Sequence, residues 1–324
     1  LLPGWGLAQN EFITTWETDD GTITVPIIGV DFHMTWTNLD NPGVGEGTFS
    51  NLTQMKEITG LTIGDTYQIE ISGDYQRIWF NDTGDKLMIL SIEQWGTNQW
   101  TSMQDAFEGC QNLRINAADA PDLTLVTSMD EMFKNARALN DPIGHWDVSN
   151  VTSMRGLFNY AHRFNQDISS WDVSNVTDMS YMFSSTGDFN QDLRNWNVSS
   201  VTKLESTFMN AFDFNQNLGN WTLSSVTNLG WIFRGTNMST SNYDSTLIGW
   251  SEKASLANSV QFNAEGVTYC QGEAARNKLI ADFSWNIQND TRECSGIAFI
   301  TTWVTDNSEI TIPTTGNGYN YTII

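Results

Sequence analysis

The groups able to do chemistry in this chain are few, and their spacing argues against turnover. The three histidines, His33, His145 and His162, form neither a His-x-x-x-His nor a His-Glu-x-x-His pair, so zinc ligation from one helix face is not offered. No Gly-x-Ser-x-Gly elbow, phosphate loop or Gly-x-Gly-x-x-Gly run occurs. Carboxylates that hydrolyse glycosides pair in space rather than in sequence, so the many acids leave that arrangement open. Asp19-Asp20-Gly21 and Asp82-Thr83-Gly84-Asp85 offer oxygens to a weakly held surface calcium. Both lack EF-hand spacing, and such runs are more often plain turns; no other cofactor is expected. Cys270 and Cys294 bracket one short segment, and an oxidising compartment favours a disulfide between them, worth about 3 kcal/mol through loop closure. Cys110 reads as a small buried hydrophobe. What remains is recognition chemistry. Arg155, Tyr160, His162, Tyr181, Phe212 and Trp231 occupy positions that vary while their neighbours recur, and aromatic and guanidinium groups are enriched in binding interfaces. They are the candidate binding residues.

The frame that must carry them is a repeat. Phe164-Asn165-Gln166-Asp167 through Trp171-Asp172-Val173-Ser174-Asn175-Val176-Thr177-Asp178-Met179 returns as Phe189-Asn190-Gln191-Asp192 through Trp196-Asn197-Val198-Ser199-Ser200-Val201-Thr202-Lys203-Leu204. Trp146, Trp171, Trp196 and Trp221 follow one another at intervals of 25 residues. A fixed period of this length means stacked units, each too small to bury its own apolar face. Val176, Met179 and Phe183 stand at i, i+3 and i+7 after Ser174 and Asn175, which predicts a short amphipathic helix. Alternation at Phe189, Gln191 and Leu193, and at Trp196 and Val198, predicts short strands. The expected fold is therefore an α+β repeat solenoid with a short strand and a short helix per unit. The recurring Asn165, Asn190 and Asn215 are expected to form an internal ladder that satisfies turn backbone. The tryptophan row reads as core, with a sugar-stacking platform as the other reading.

Bulk properties narrow the partners. The 324 residues carry 15 Lys+Arg against 38 Asp+Glu, a net charge of −23 that repels nucleic acid and anionic lipid. No apolar run reaches membrane-spanning length, so no membrane insertion is expected. Residues 1–10 read as the tail of a secretory signal or as ordinary coil. Residues 11–91, with β-prone runs such as Phe12–Trp16, Asp31–Trp36 and Thr66–Ile71, predict an all-β sandwich. The repeats occupy 92–233, and 234–296 closes them as a cap with a helix at Ala274–Ile280. Phe299-Ile300-Thr301-Thr302-Trp303 copies Phe12–Trp16, so 297–324 reads as the start of a second, truncated sandwich.

The unit Trp171–Met179 with Phe183 and Phe189–Asp192 resembles the BspA-like leucine-rich-repeat surface proteins of bacteria, over roughly residues 92–250. The ending Tyr243–Trp250 followed by Tyr269–Arg276 is similar to that family's close, and the flanking Phe-Ile-Thr-Thr-Trp segments resemble PKD/Ig-like β-sandwich modules. The resemblance implies a leucine-rich-repeat-like fold, export by a signal peptide and a cell-surface or secreted bacterial location. It implies adhesion or protein binding to a protein or glycan on a cell or matrix surface, without catalytic residues. The alternative is a carbohydrate-binding or spacer region of a larger secreted enzyme.

Overall fold

Apolar alternation builds the chain as far as the repeats. The computed structural model describes residues 10–294. Its first strands are β1 (Phe12–Glu17), β2 (Thr22–Val25), β3 (Ile27–Asn38), β4 (Gly47–Leu52), β5 (Lys56–Thr59), β6 (Thr66–Ile78) and β7 (Ile89–Gln94), followed by β8 (Arg114–Ile115) inside the first repeat. A six-stranded sheet runs in the order β4-β3-β6-β1-β7-β8, antiparallel except between β7 and β8. β2 and β5 pair on their own, and their Ile23, Val25 and Ile58 lie buried in one core with Phe12, Trp16, Ile69 and Ile71. Gly73, which reads as a turn, instead lies within β6. At φ +97 a Cβ there would stand 2.6 Å from the Asp31 carbonyl, so only glycine lets β6 pass β3 at that point.

The sheet and the repeats share a core. The boundary expected between residues 91 and 92 falls within β7, and Phe12 packs on Trp95 and Trp100 at ring separations of 5.6 and 5.2 Å. Phe80 continues to Phe107, Phe133, Phe158, Phe183, Phe208 and Phe233, with centroids 5.5–6.5 Å apart along the row. The described residues up to Glu293 form one compact unit.

The expectation of an α+β repeat solenoid is overturned. Among the described residues the chain is mostly β, and its only two helices, α1 (Thr240–Ser251) and α2 (Glu273–Phe283), follow the repeats. Val176–Phe183 forms no helix because the backbone changes hand twice in each unit. The second residue after each Met/Leu slot has positive φ: Asp105, Glu131, Gly156, Tyr181, Ser206 and Trp231, between 55 and 61°. So does the sixth: Gly109, Asn135, Tyr160, Ser185, Asn210 and Gly235. A left-handed residue ends an α-helix, and two in succession leave only three-residue turns. Accordingly Met182, Ser184 and Thr186 donate within their unit to Met179, Tyr181 and Phe183 at 3.0–3.2 Å. The intervening amides of Met179, Tyr181, Phe183 and Ser185 donate instead to Lys203, Glu205, Thr207 and Met209 of the next unit, at 2.7–3.0 Å. The strands expected at Phe189–Leu193 and Trp196–Val198 are also absent. Strand-like pairing shrinks to one-residue parallel bridges, Ser153 to Asp178 to Lys203 to Asn228.

Side chains extend the pairing. Asn165 Oδ1 accepts from the Asn190 amide at 3.0 Å and from Gln191 Nε2 at 2.8 Å, and Asn190 Oδ1 does the same for Asn215 and Gln216 at 2.9 and 2.8 Å. The tryptophans are core: the indoles of Trp171, Trp196 and Trp221 are buried and donate to Ile143, Ile168 and Leu193 carbonyls one unit back, at 2.9–3.2 Å. They form no sugar platform.

Beyond the repeats, α1 starts at Ser239, whose hydroxyl accepts from the Asn242 amide at 3.3 Å. β9 (Gln261–Asn263), β10 (Thr268–Tyr269), β11 (Asn286–Gln288) and β12 (Thr291–Arg292) make two small parallel pairs, β9 with β11 and β10 with β12. Buried Asp244 accepts from the amides of Cys270, Gln271 and Gly272, which anchors the start of α2. The helix read at Ala274–Ile280 lies within α2. Residues 1–9, and the second sandwich read at 297–324, lie outside the described residues.

Asn190→Ala removes one acceptor from two donors and is expected to destabilise the chain by about 1–3 kcal/mol in urea unfolding. Asn190→Asp keeps the acceptor and should recover most of the loss. Equal losses in both variants would contradict the ladder's role.

Candidate functional site

Bridging fixes which side chains point outward. The Met/Leu slot turns into the core, so the residues just before and just after it face the other way. One column holds the bridged Ser153, Asp178, Lys203 and Asn228, and the next holds Asp130, Arg155, Ser180, Glu205 and Gly230, of which Ser180 is buried. Each column holds one adjacent pair of opposite charges, Asp178 with Lys203 and Asp130 with Arg155. Arg155 pairs with Glu131, and Lys203 Nζ lies 2.9 Å from Asp178. Burial raises the Asp178 carboxyl, but Lys203 and the Ser180 amide and hydroxyl outweigh it and hold the group below the usual carboxylate range.

Of the residues singled out by sequence, Arg155 and Tyr181 meet. The guanidinium lies 5.9 Å from the ring centroid, and the Tyr181 hydroxyl donates to Glu205 at 3.5 Å. Trp231 holds the same slot two units further on and is 38% exposed, with Ser206 between them. Tyr160 and His162 form a second pair, edge to face at 6.0 Å. Phe212, 62% exposed, is two units along from His162, and Gly187 intervenes, its missing Cβ 3.5 Å from the Phe212 ring. The six candidates thus divide into an Arg155–Tyr181–Trp231 column and a Tyr160–His162–Phe212 corner.

Three acids of the repeats do structural work. Asp147, Asp167 and Asp172 each accept the amide two residues on, from Ser149, Ser169 and Ser174, at 2.9–3.0 Å. The serine hydroxyl and amide hold each carboxyl below its ordinary range. At the suggested calcium sites Asp20 accepts from Thr22, Asp85 accepts the Thr24 amide, and Asp82 pairs with Lys86. A denser set was missed in the sequence because its members come from two units. Asp105, Glu108 and Glu131 bring carboxylate oxygens within 4.8 Å of one another and could hold a metal ion. The chain supplies its own cations there: Lys134 Nζ is 2.8 Å from Glu108 and 2.6 Å from Glu131. Burial raises Glu131, but Lys134 and then Arg155 outweigh it and hold its carboxyl low. Burial pushes Asp105 up. A metal ion would have to displace Lys134.

Cys270 and Cys294 are both disulfide-bonded. Cys110 is free and buried, and burial pushes its thiol well up. The ring of His145 approaches the Asp119 carbonyl at 3.3 Å, and that of His33 the Asn51 amide at 3.4 Å.

The sequence reading also missed a groove of about 330 Å³ beside Trp231, lined by Glu205 and Asn228 of the repeats and by Gln261, Asn263 and Gln288 of β9 and β11. No signal in the sequence marks it; in the structure the bridge row continues past the last unit, from Asn228 to Gln261.

A ladder of turn segments with an outward polar and aromatic face defines the class of molecule. Residues 77–167 and 127–246 match the family described as "Mycoplasma protein of unknown function, DUF285". These overlapping spans take in more than half of the chain, which belongs to that family. No curated protein and no solved structure matches it.

Tyr181 and Trp231 occupy a slot that suits glycine, and at the equivalent position one unit stands Gly156. Truncation to glycine should therefore leave a more stable protein than truncation to alanine, by about 1 kcal/mol at each site. Urea midpoints of Tyr181→Gly and Tyr181→Ala, and of the same pair at Trp231, measure it. Alanine equal to or better than glycine would refute the left-handed slot.

Proposed function

We propose that this chain is a binding protein of the bacterial cell surface or of the secreted fraction, and that it captures its partner on the outward face of the stacked repeats. The observation that carries the reading is the slot occupied by Tyr181 and Trp231. A bulky side chain at positive φ costs roughly 1–3 kcal/mol, and such positions gather where function repays the cost. Both residues stand beside columns that mix charged and polar side chains, an arrangement suited to a protein or glycan on a cell or matrix. Net charge of −23 disfavours nucleic acid and anionic membranes as partners. The disulfide-bonded state of Cys270 and Cys294 is in keeping with an oxidising, extracellular setting.

The resemblance to BspA-like surface proteins points the same way. Binding here is recognition without turnover. Repeated weak contacts along a rigid face add up when the partner is itself repetitive.

Purified protein should bind cells or extracellular matrix saturably. The double variant Tyr181→Ala, Trp231→Ala should lose about tenfold or more in affinity while keeping its circular dichroism. Absence of saturable binding, together with full tolerance to deletion of one 25-residue unit, would identify a spacer instead.

A further inference from the structure

The groove beside Trp231 has a composition that selects one class of ligand. Its volume of about 330 Å³ is at the small end of small-molecule sites, roughly 300–1,000 Å³. Trp231, 38% exposed, is the one exposed aromatic residue of the lining. The rest is almost entirely amide and carboxylate: Glu205, Asn228, Asn263 and Gln288 among them, with no lysine or arginine in the lining. Gly230 leaves the groove open between Trp231 and Asn228, where a Cβ would come within 2.9 Å of Asn228 Oδ1.

The amides are held in place by one another. Asn228 Nδ2 donates to Glu205 at 3.1 Å, and its Oδ1 accepts the Gly230 amide at 2.8 Å. Gln288 Nε2 donates to Asn286 at 2.9 Å, and Asn263 Oδ1 accepts from Asn289 at 2.9 Å. Each of these bonds uses one end of an amide. Among the described residues, Asn263 Nδ2 and Gln288 Oε1 keep no protein partner, so one donor and one acceptor are left for a ligand. The Trp231 amide donates to the Asn263 carbonyl at 3.0 Å, which ties the ring's slot to the same wall.

Oriented groups that both donate and accept, beside one exposed indole, match a pyranose. Its C–H face packs on an aromatic ring, and its vicinal hydroxyls need paired donors and acceptors around the edge. An anionic ligand finds no cation in the lining and meets Glu205. We propose that this groove binds a neutral pyranose unit of a glycan. This rests on the surface-binding reading above and names the ligand class for one part of that face.

The test uses the full chain and a panel of neutral oligosaccharides built from glucose, galactose, mannose and N-acetylglucosamine, with sialylated and sulfated counterparts. Affinities come from calorimetric titration, with tryptophan fluorescence as a second readout. The expected result is saturable binding to at least one neutral oligosaccharide and weaker binding to its anionic counterpart. Trp231→Gly, whose backbone fits the slot, and Gly230→Leu, which fills the groove and leaves the ring, should each lower affinity about tenfold or more with thermal unfolding still cooperative. No neutral saccharide bound at millimolar concentration, or binding indifferent to both variants, overturns the assignment. If the parent binds cells or matrix saturably but no neutral saccharide, the groove assignment fails and the surface reading stands. If the parent binds neither saccharide, cell nor matrix, both fail.

Discussion

The repeats depend on the division of labour among the backbone amides of the turn segment. Half of them close three-residue turns, and the alternate half leave the unit to bind the next one. A buried amide must find an acceptor, so a unit with no neighbour would strand four donors at the Met179–Ser185 positions alone. This ties the units together more tightly than apolar stacking could, because hydrogen bonds fix register where hydrophobic contact does not. It also requires the backbone to change hand twice per unit. That requirement excludes a helix and leaves two positions where most side chains are strained.

Apolar packing then supplies the drive. The phenylalanine row from Phe80 to Phe233 runs without a break from the sheet through every unit, each ring worth roughly 1.5–3 kcal/mol when fully buried. Trp171, Trp196 and Trp221 each lock the indole N–H onto a carbonyl one unit behind, whereas the buried indole N–H of Trp146 finds no partner among the described residues. The Asn165–Asn190–Asn215 ladder does the same work with side-chain amides. The sheet covers one end of this stack through Phe12, Trp95 and Trp100, and α1 covers the other through Tyr243 and Trp250, whose rings meet Phe233 and Phe262. With the interior fully committed, what varies is confined to the outside of the units, where Arg155 stands in an outer column and Tyr160, Tyr181 and Trp231 in left-handed slots.

How much of this could be read from residues alone depended on whether the information was local. The period, the core slots and the amide ladder follow from recurrence, and the strands of the first sheet from alternation and turns. The helix was misread for a physical reason. Val176, Met179 and Phe183 at i, i+3 and i+7 fit one face of a helix, but consecutive three-residue turns bury the same spacing. Only Gly109, Asn135, Asn210 and Gly235 hinted at the left-handed sixth position, and Tyr181, Ser206 and Trp231 give no such hint at the second. The groove was invisible because Asn228 and Glu205 come from the repeats while Gln261, Asn263 and Gln288 come from strands after the pattern has dissolved. The pairing of Arg155 with Tyr181 across one unit was within reach, since both sit beside the same slot in adjacent copies.

Native-state amide hydrogen exchange tests the cross-unit pairing most directly. The account predicts that the amides of Tyr181, Phe183 and Ser185 are protected nearly as strongly as the global unfolding free energy, and that they open together with their counterparts in the neighbouring units. Exchange of Tyr181 and Ser185 near the rate of an exposed loop, while Met182 and Ser184 remain protected, would mean that the units are not joined through their backbones.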